Sequence, residues 1–193
     1  MSGLPPGQHY LKKFIYYSAL PPPKVDIQSY RLTIKGKVDE ELSYTYYQLM
    51  NMIDIVTTAD FHCVEQWSIK DVVWEGVSII KLLKGSKAHG NYVLFESLDG
   101  YTSIVKIEDA EKGFIALKMQ GRPLSYEEGF PARPFFPHLY AWKSAKWLTA
   151  MNVMNEYVDG YWEERGYHER GNVWQEERFK TYEARKLKKS PMV

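Results

Sequence analysis

Cysteine is nearly absent from this sequence, since Cys63 is the only one in 193 residues. A single thiol excludes an internal disulfide and any zinc site that needs several cysteines. This scarcity is typical of proteins from a reducing compartment, so we predict a cytoplasmic location. Three roles stay open for Cys63: a small core residue, a nucleophile, or one soft ligand to a cofactor held mostly by other groups.

The sequence also lacks a large net charge and a long apolar run. Its 25 Lys and Arg residues face 24 Asp and Glu residues, for a formal charge of +1. This balance gives no electrostatic reason to expect a nucleic-acid partner. No stretch approaches the roughly 20 apolar residues of a membrane-spanning helix, and MSGLPPGQHYLKKF does not resemble a secretory signal. We therefore expect neither nucleic acid nor a membrane among the partners.

The common catalytic motifs are missing as well. The sequence contains no G-x-S-x-G elbow, no P-loop and no G-x-G-x-x-G, and its five histidines lack zinc-type spacing. A dyad of Cys63 with the adjacent His62 is disfavoured, because neighbours on a strand point to opposite faces. A pair of Cys63 with His138 or His168 stays open. Taken by itself, Cys63 fits a buried core thiol better than a reactive one.

Short apolar strands alternate with short helices, which favours an α+β fold with a mixed or antiparallel sheet. A length of 193 residues and 45% apolar residues predict a single domain over 1–193. Its ends are predicted to be an irregular, extended arm at 1–29 and a charged helix and tail at 173–193. Strands are predicted at 30–36, 55–64, 92–96 and 114–120. Helices are predicted at 45–52, from the capping-box pair Thr45 and Gln48, at 76–84, and as one turn at 108–112.

A loop-rich stretch, GRPLSYEEGFPARPFFPHLYAWKSAKW, contains four prolines and carries the remaining candidates. Long ordered loops in compact domains are often functional. Lys143, Ser144 and Lys146 could hold a phosphate, or could be the solvated start of an element. Arg133 is costly to order among prolines without an anionic partner, which could be a ligand or a carboxylate such as that of Glu127.

Four segments in order resemble the sulfite oxidase-like molybdopterin oxidoreductases. They are HCVEQWSIKDVVWEGVSIIKLL at 62–83, GYTSIVKIEDA at 100–110, ALKMQGRPLSYEEGFPARPFFPHLYAWKSAKWL at 116–148 and GYWEERGYHERGNVWQEERF at 160–179, with a looser fit at 14–36. The motif Cys-Val-Glu-x-Trp-Ser is similar to the corresponding motif of the methionine-sulfoxide reductase branch. The resemblance implies the sulfite oxidase-type fold, with mixed β-sheets and short helices, and a molybdenum–molybdopterin cofactor.

The resemblance also implies a role for the single cysteine. In this family the cysteine thiolate binds molybdenum directly and the molybdopterin dithiolene supplies further sulfurs, so one cysteine is enough. Cys63 is therefore the expected metal ligand, and Val64 continues the cofactor loop. His62 is expected to contact the pterin, and Tyr101 matches an active-site tyrosine that could donate a hydrogen bond.

Other positions are carried over as cofactor contacts. Ser144, Ala145 and Lys146 match the segment that grips the pterin and its phosphate, and Lys143 beside them is an additional candidate. The arginine of the Gly-x-Pro-x-Arg pattern corresponds to Arg133. In family members an N-terminal arm reaches the cofactor. The matching positions in this sequence are Tyr16, Tyr17 and Ser18.

Three departures bear on the reaction. Glu128 stands at a cofactor-binding position where relatives usually have Asn or His, so we expect it to be rotated away from the anionic cofactor or protonated by burial. The Arg-Asn-His run of true sulfite oxidases reads Tyr-Tyr-Ser at 16–18. Where those enzymes place arginines after the cysteine, this sequence has Trp67 and Ser68. Reduction of an S-oxide or N-oxide is therefore favoured over sulfite oxidation.

The resemblance implies an oxidoreductase that transfers an oxygen atom to or from a small substrate. The sequence shows neither a haem domain nor an immunoglobulin-like dimerisation domain, so a separate electron-transfer partner is expected. Two alternatives belong to other classes: a carrier or storage protein for molybdopterin without turnover, and a cofactor-free interaction module.

Overall fold

Two mixed β-sheets and three short helices make up the described part of the protein. The computed structural model describes residues 3–181. The strands are β1 (His9–Tyr10), β2 (Leu32–Gly36), β3 (Leu42–Tyr44), β4 (Ile55–His62), β5 (Trp67–Ser78), β6 (Tyr92–Ser97), β7 (Thr102–Lys106), β8 (Phe114–Met119), β9 (Arg122–Pro123), β10 (Arg133–Phe135) and β11 (Leu148–Met154). The helices are α1 (Tyr46–Asn51), α2 (Ile79–Gly85) and α3 (Ile107–Ala110), and 3-10 turns span Ala141–Lys143 and Glu163–Arg165.

The first sheet is organised around the long strand β5. It follows the order β1-β5-β8-β10, with β4 also paired to β5 and β9 to β8. All of these pairs are antiparallel except β1 with β5, which is parallel. This sheet carries the turn with Cys63 and, on β10, Arg133.

The second sheet has the order β3-β2-β11-β6-β7. Its strands β2 and β11 run parallel, and the other pairs are antiparallel. The main apolar core lies against this sheet, with Leu32, Phe95 and Met151 fully buried. A smaller core packs on the first sheet, where Trp74 stacks on Phe135 with ring centroids 4.2 Å apart.

The structure confirms the α+β class with mixed sheets and several of the predicted elements. The capping box is present: the Thr45 N–H donates to Gln48 Oε1 at 2.8 Å, and the Gln48 N–H donates to Thr45 Oγ1 at 3.2 Å. The four predicted strands correspond to β2, β4, β6 and β8. None of the helices within residues 3–181 is long and apolar enough to cross a bilayer.

The prediction of a helix from residue 76 is wrong at its start. Residues 76–78 belong to β5, and α2 begins at Ile79. The reason is non-local, since β5 is held by β4 on one edge and β8 on the other. Pairing with strands that are distant in the chain cannot be read from the residues at 76–78 themselves. The arm at 1–29 is also less irregular than expected, since it contains β1.

The predicted helix at the C-terminal end is wrong for its described part. Residues 173–176 form turns, in which Asn172 Oδ1 accepts from the N–H groups of Trp174 at 2.9 Å and Gln175 at 3.3 Å. An asparagine side chain that bonds backbone groups in this way competes with helix formation. The rest of that prediction, 182–193, lies outside the described residues.

Gly76 tests the packing of β5 on β8. A Cβ at this position would lie 2.2 Å from the Ile115 carbonyl oxygen, which is backbone and cannot rotate away. We expect Gly76→Ala to lower the free energy of unfolding by about 2 kcal/mol through overpacking. Gly85→Ala is the control, because its Cβ would meet only Leu42 Cδ1 at an ordinary 3.5 Å. Urea denaturation measures both; equal stability of the two variants would contradict the close approach.

Candidate functional site

Cys63 begins the turn that joins β4 to β5. Its N–H donates to the Trp67 carbonyl at 2.9 Å, and the Gln66 N–H donates to the Cys63 carbonyl at 3.2 Å. Gln66 has a left-handed backbone with φ +72°, which closes the turn tightly. The Cys63 side chain is half-buried and packs against the smaller apolar core. The thiol therefore sits at a strand end, on a turn fixed by sheet pairing.

Arg133 is a buried cation on β10. Its side chain has only 7% exposure. Nε donates to Ser144 Oγ at 3.0 Å, Nη1 to the Glu128 carbonyl at 2.8 Å and Nη2 to the Ser144 carbonyl at 2.9 Å. Among residues 3–181 no carboxylate lies within ion-pair distance of Arg133, so Glu127 is not its partner. Burial lowers the pKa of Arg133 to about 10, which leaves it charged at neutral pH.

Lys146 is a second cation at the same place. Its Nζ donates to Ser18 Oγ at 2.7 Å and to the Glu127 carbonyl at 3.3 Å, and in the described part of the chain it forms no ion pair. Burial and the charge of Arg133 lower the pKa of Lys146 to about 8. Gly129, with φ +102°, lets the loop approach closely, since a Cβ there would lie 2.9 Å from Lys146 Cβ.

Burial disfavours the charge of both cations, and Arg133 further lowers the pKa of Lys146, so a bound anion would stabilise them. Removing charged groups from water is unfavourable without a compensating partner. A phosphate-bearing pterin fits this requirement. Within residues 3–181 no three His, Cys, Asp or Glu side chains cluster to hold a metal. A molybdenum held by the single thiolate of Cys63 and the sulfurs of its own cofactor needs no such cluster.

Ser144 and Ala145 line this cation pair from the loop after the 3-10 turn. The Ser144 hydroxyl donates to the Pro134 carbonyl and accepts from Arg133 Nε. The Ala145 side chain is buried in the main core, so only the Ala145 backbone amide can reach a ligand. The structure thus brings three predicted residues together: Arg133, Ser144 and Lys146.

Lys143 requires a correction. Its side chain is fully buried, and its ammonium forms an ion pair with Glu163 and donates to the Ile104 carbonyl at 2.8 Å and to the Glu169 carbonyl. Burial lowers the pKa of Lys143, while Glu163 opposes that shift. The expectation that Lys143 joins the phosphate grip is not supported, because its side chain is fully buried and its charge is already neutralised by Glu163.

Glu128 is rotated toward Arg122 and is not protonated by its burial. Only 2% exposed, it accepts two bonds of 2.8 Å from Arg122, one of 2.6 Å from the Ser125 N–H and one of 3.1 Å from Tyr16 Oη. Burial raises the pKa of Glu128, but these bonds outweigh it and the pKa lies below its usual value. Glu128 reaches Arg133 through its backbone carbonyl, and Arg122 neutralises its side-chain charge.

The N-terminal arm reaches the same loop. Tyr16 bonds Glu128, and Ser18 accepts from Lys146. Tyr16 is 49% exposed and stacks on Phe14, whereas Tyr17 is 65% exposed and lies 6.4 Å from Trp162 between ring centroids. Both predicted tyrosines are thus at an open edge of the site, where a ligand could contact their rings.

The side chains of Tyr101 and His62 form hydrogen bonds with other groups of the protein. The Tyr101 hydroxyl donates to the Trp142 carbonyl, so in this arrangement its hydrogen is not directed at a substrate or an oxo ligand. Burial raises the pKa of Tyr101 well above its usual value. His62 Nδ1 lies 2.8 Å from Ser68 Oγ, and burial lowers the pKa of His62, which favours its neutral form. The donor role expected of Tyr101 is therefore not supported.

Three contacts of the site lack a local signal in the sequence. Arg122 neutralises Glu128, while Gln8 and Arg178 bond the backbone of the turn at Cys63 and Val64. Gln8 and Arg178 lie 170 positions apart in the chain. Sequence reasoning missed them because only the tertiary fold brings them to the turn.

Comparison with known proteins gives consistent results. Residues 19–162 match the family described as "oxidoreductase molybdopterin binding domain". The uncharacterized oxidoreductase YuiH of Bacillus subtilis is 35% identical over 91% of both chains. YedZ1 of Azospira oryzae, named as a putative protein-methionine-sulfoxide reductase subunit, is 30% identical over 75% of this chain.

More distant matches agree with the fold. Mitochondrial sulfite oxidase of Macaca fascicularis is 26% identical over 80% of this chain. The sulfane dehydrogenase SoxCD of Paracoccus pantotrophus superposes with a TM-score of 0.66 over 71% of this chain, at 22% identity. The aligned part of this chain spans 56% of YedZ1, 34% of that sulfite oxidase and 41% of that SoxCD chain.

Lys146 provides a test of the charge arrangement. In cofactor-free protein at pH 7 we expect Lys146→Met to raise the melting temperature, because the native state disfavours the charged ammonium. With the native pKa at about 8 and the usual value at 10.5, this cost is complete below pH 8 and disappears as pH rises through 10.5. The stabilisation should therefore fade at alkaline pH.

Lys143→Met is the matched comparison. It leaves Glu163 buried without its cation, so we expect a loss of about 3 kcal/mol in the free energy of unfolding. Thermal and urea denaturation between pH 7 and 10 measure both variants. Equal destabilisation by both changes would contradict the distinction between a ligand-facing and a structural lysine.

Proposed function

Because this chain belongs to the family of oxidoreductase molybdopterin-binding domains, we propose that it transfers an oxygen atom to or from a small substrate, using molybdenum held by molybdopterin. It is a molybdopterin-dependent oxidoreductase of the sulfite oxidase-like type. The observation that carries the proposal is the cation pair Arg133 and Lys146. It is buried or half-buried, has no carboxylate partner in the described chain, and adjoins the same sheet as Cys63.

The residues fit the cofactor in two places. The Cys63 thiolate would bind the metal, and a soft sulfur ligand suits a sulfur-rich molybdenum site. Arg133, Lys146 and the Ala145 amide would hold the phosphate of the pterin. The cofactor, when bound, supplies the two-electron oxidation and reduction.

The chain sets the electrostatics around that cofactor. Arg133 stays protonated at neutral pH, and three of its five N–H groups are held by Ser144 and the Glu128 carbonyl. The Arg122–Glu128 ion pair keeps a negative charge from opposing an anionic ligand. Preorganised charges of this kind do not have to reorient during a reaction.

We favour reduction of an S-oxide or N-oxide over oxidation of sulfite. Residues 64–68, Val-Glu-Gln-Trp-Ser, contain no cation that could bind sulfite. Cys63 packs against a core of apolar and aromatic side chains that includes Phe61 and Trp67. A neutral S-oxide suits such surroundings better than an anion does. The name of the Azospira relative supports the same class.

The electron route and location are further parts of the proposal. We infer a separate electron-transfer protein, which the naming of YedZ1 as a subunit supports. The cytoplasmic location expected from the single cysteine stays a prediction.

Cys63→Ala tests the metal ligand. In a host that makes the cofactor, wild type should contain about one molybdenum per chain together with phosphate-bearing pterin. The variant should lose turnover while keeping its melting temperature within a few degrees. Val56→Ala, on the exposed face of β4, the strand that leads into the turn, is the control and should retain both metal and activity. Elemental analysis and pterin release measure the outcome; full activity in Cys63→Ala would overturn the assignment.

Substrate class is tested on the molybdenum-loaded protein. With a chemical electron donor, we expect dimethyl sulfoxide, methionine sulfoxide or trimethylamine N-oxide to reoxidise the reduced metal. Sulfite should reduce the oxidised metal at least about tenfold more slowly than these oxides reoxidise the reduced metal, because residues 64–68 supply no cation to bind it. Stopped-flow absorption follows both reactions. Rapid reduction by sulfite with no response to any oxide would reverse the favoured direction.

A further inference from the structure

The turn at Cys63 is held from outside its own hairpin. Within the hairpin, backbone bonds close the turn between Cys63 and Trp67. The carbonyls of Cys63 and Val64 also accept bonds from two distant side chains, Gln8 and Arg178. Both of these residues lie outside 19–162, the part of the chain that matches the family.

Gln8 covers the turn from the N-terminal side. Its side-chain Nε2 donates to the Cys63 carbonyl at 2.9 Å and to the Trp67 carbonyl at 3.4 Å. Strand β1 places it there, since the His9 N–H donates to the Gln66 carbonyl at 2.9 Å and His9 is in register with Trp67 on β5. Gln8 is 9% exposed, so water does not readily replace these bonds.

Arg178 covers the turn from the C-terminal side. It is 4% exposed, and its Nη1 donates to the Val64 carbonyl. Its Nη2 donates to the Pro6 carbonyl at 3.2 Å and to Gln8 Oε1 at 3.4 Å, and the guanidinium lies 4.8 Å from the ring centroid of Tyr140. Arg178 thereby fixes the amide oxygen of Gln8, which directs the Gln8 amide nitrogen at Cys63.

We propose that Gln8 and Arg178 form a clamp that positions the Cys63 thiolate for the metal. This inference rests on the proposed function, since it assigns the orientation of the ligand that Cys63 would provide. Groups that orient metal ligands typically change metal affinity by about 10- to 100-fold when they are lost. The segment at 160–179 thereby gains a structural role, because it carries Arg178 to the turn.

The variants separate the clamp from general stability. Arg178→Met and Gln8→Met remove the donors and keep most of the side-chain volume. Arg170→Met is the matched control: Arg170 lies in the same segment and anchors it through Asp109 at 2.8 and 3.1 Å, without a contact to the turn. Arg178→Lys keeps the charge and one donor nitrogen and should partly restore the wild-type behaviour.

The first measurement is hydrogen–deuterium exchange of residues 62–68 in cofactor-free protein. We expect exchange in this peptide to be about tenfold faster in Arg178→Met and Gln8→Met than in wild type, and unchanged in Arg170→Met. This result does not depend on molybdenum. Unchanged exchange in both clamp variants, or equal acceleration in Arg170→Met, would overturn the clamp.

The second measurement uses molybdenum-loaded protein. The sulfur-to-molybdenum absorption band should shift, and molybdenum retention in a chelator should fall about tenfold or more, in the clamp variants alone. Arg178→Lys should recover part of both. Fast exchange with an unchanged band and full retention would refute the positioning role. Wild type that binds no molybdenum would instead refute the proposed function, while the exchange result would still stand.

Discussion

A buried guanidinium without an acidic partner is the interaction around which the site is organised. Arg133 is 7% exposed, and its hydrogen bonds among the described residues go only to a hydroxyl and to carbonyl oxygens. Those acceptors solvate the charge without neutralising it, so its field is left for a ligand. The loop at 127–129, the Ser144 segment and strand β10 all converge on this one group.

The charges nearby fall into two groups, those with an ion-pair partner and those without one among the described residues. Glu128 is neutralised by Arg122, and the ammonium of Lys143 is neutralised by Glu163. Arg133 and Lys146 keep their charge, and their mutual repulsion contributes to the low pKa of Lys146. This arrangement costs stability when no anion is bound, which is typical of a site built for binding.

The cysteine turn depends on the first sheet and on both ends of the described chain. Strand β5 pairs with β4 to form the hairpin and with β1 to bring Gln8 over it. Arg178 reaches the same turn from a segment that forms turns and, in its described residues near Arg178, contains no regular helix or strand. Metal chemistry at Cys63 would therefore depend on residues far from it in sequence, as ligand orientation often does.

The sequence by itself determined the features that depend on residues near one another in the chain. The capping box of Thr45 and Gln48, the α+β class and the resemblance around Cys63 each depend on residues that are close together in the chain, and the structure or the family match bears them out. Arg133, Ser144 and Lys146 were also predicted as one group of cofactor contacts, and the structure brings them together. Their individual roles toward a cofactor stay predictions.

Only the tertiary structure decided which of two similar residues is structural and which faces the site. Lys143 and Lys146 are close neighbours in the sequence, yet one is fully buried against Glu163 and the other contacts Ser18. The partners of Tyr101 and the contacts of Gln8 and Arg178 were likewise set by long-range packing. Burial and charge pairing act through space, so neighbours in three dimensions determine them, whatever the distance along the chain.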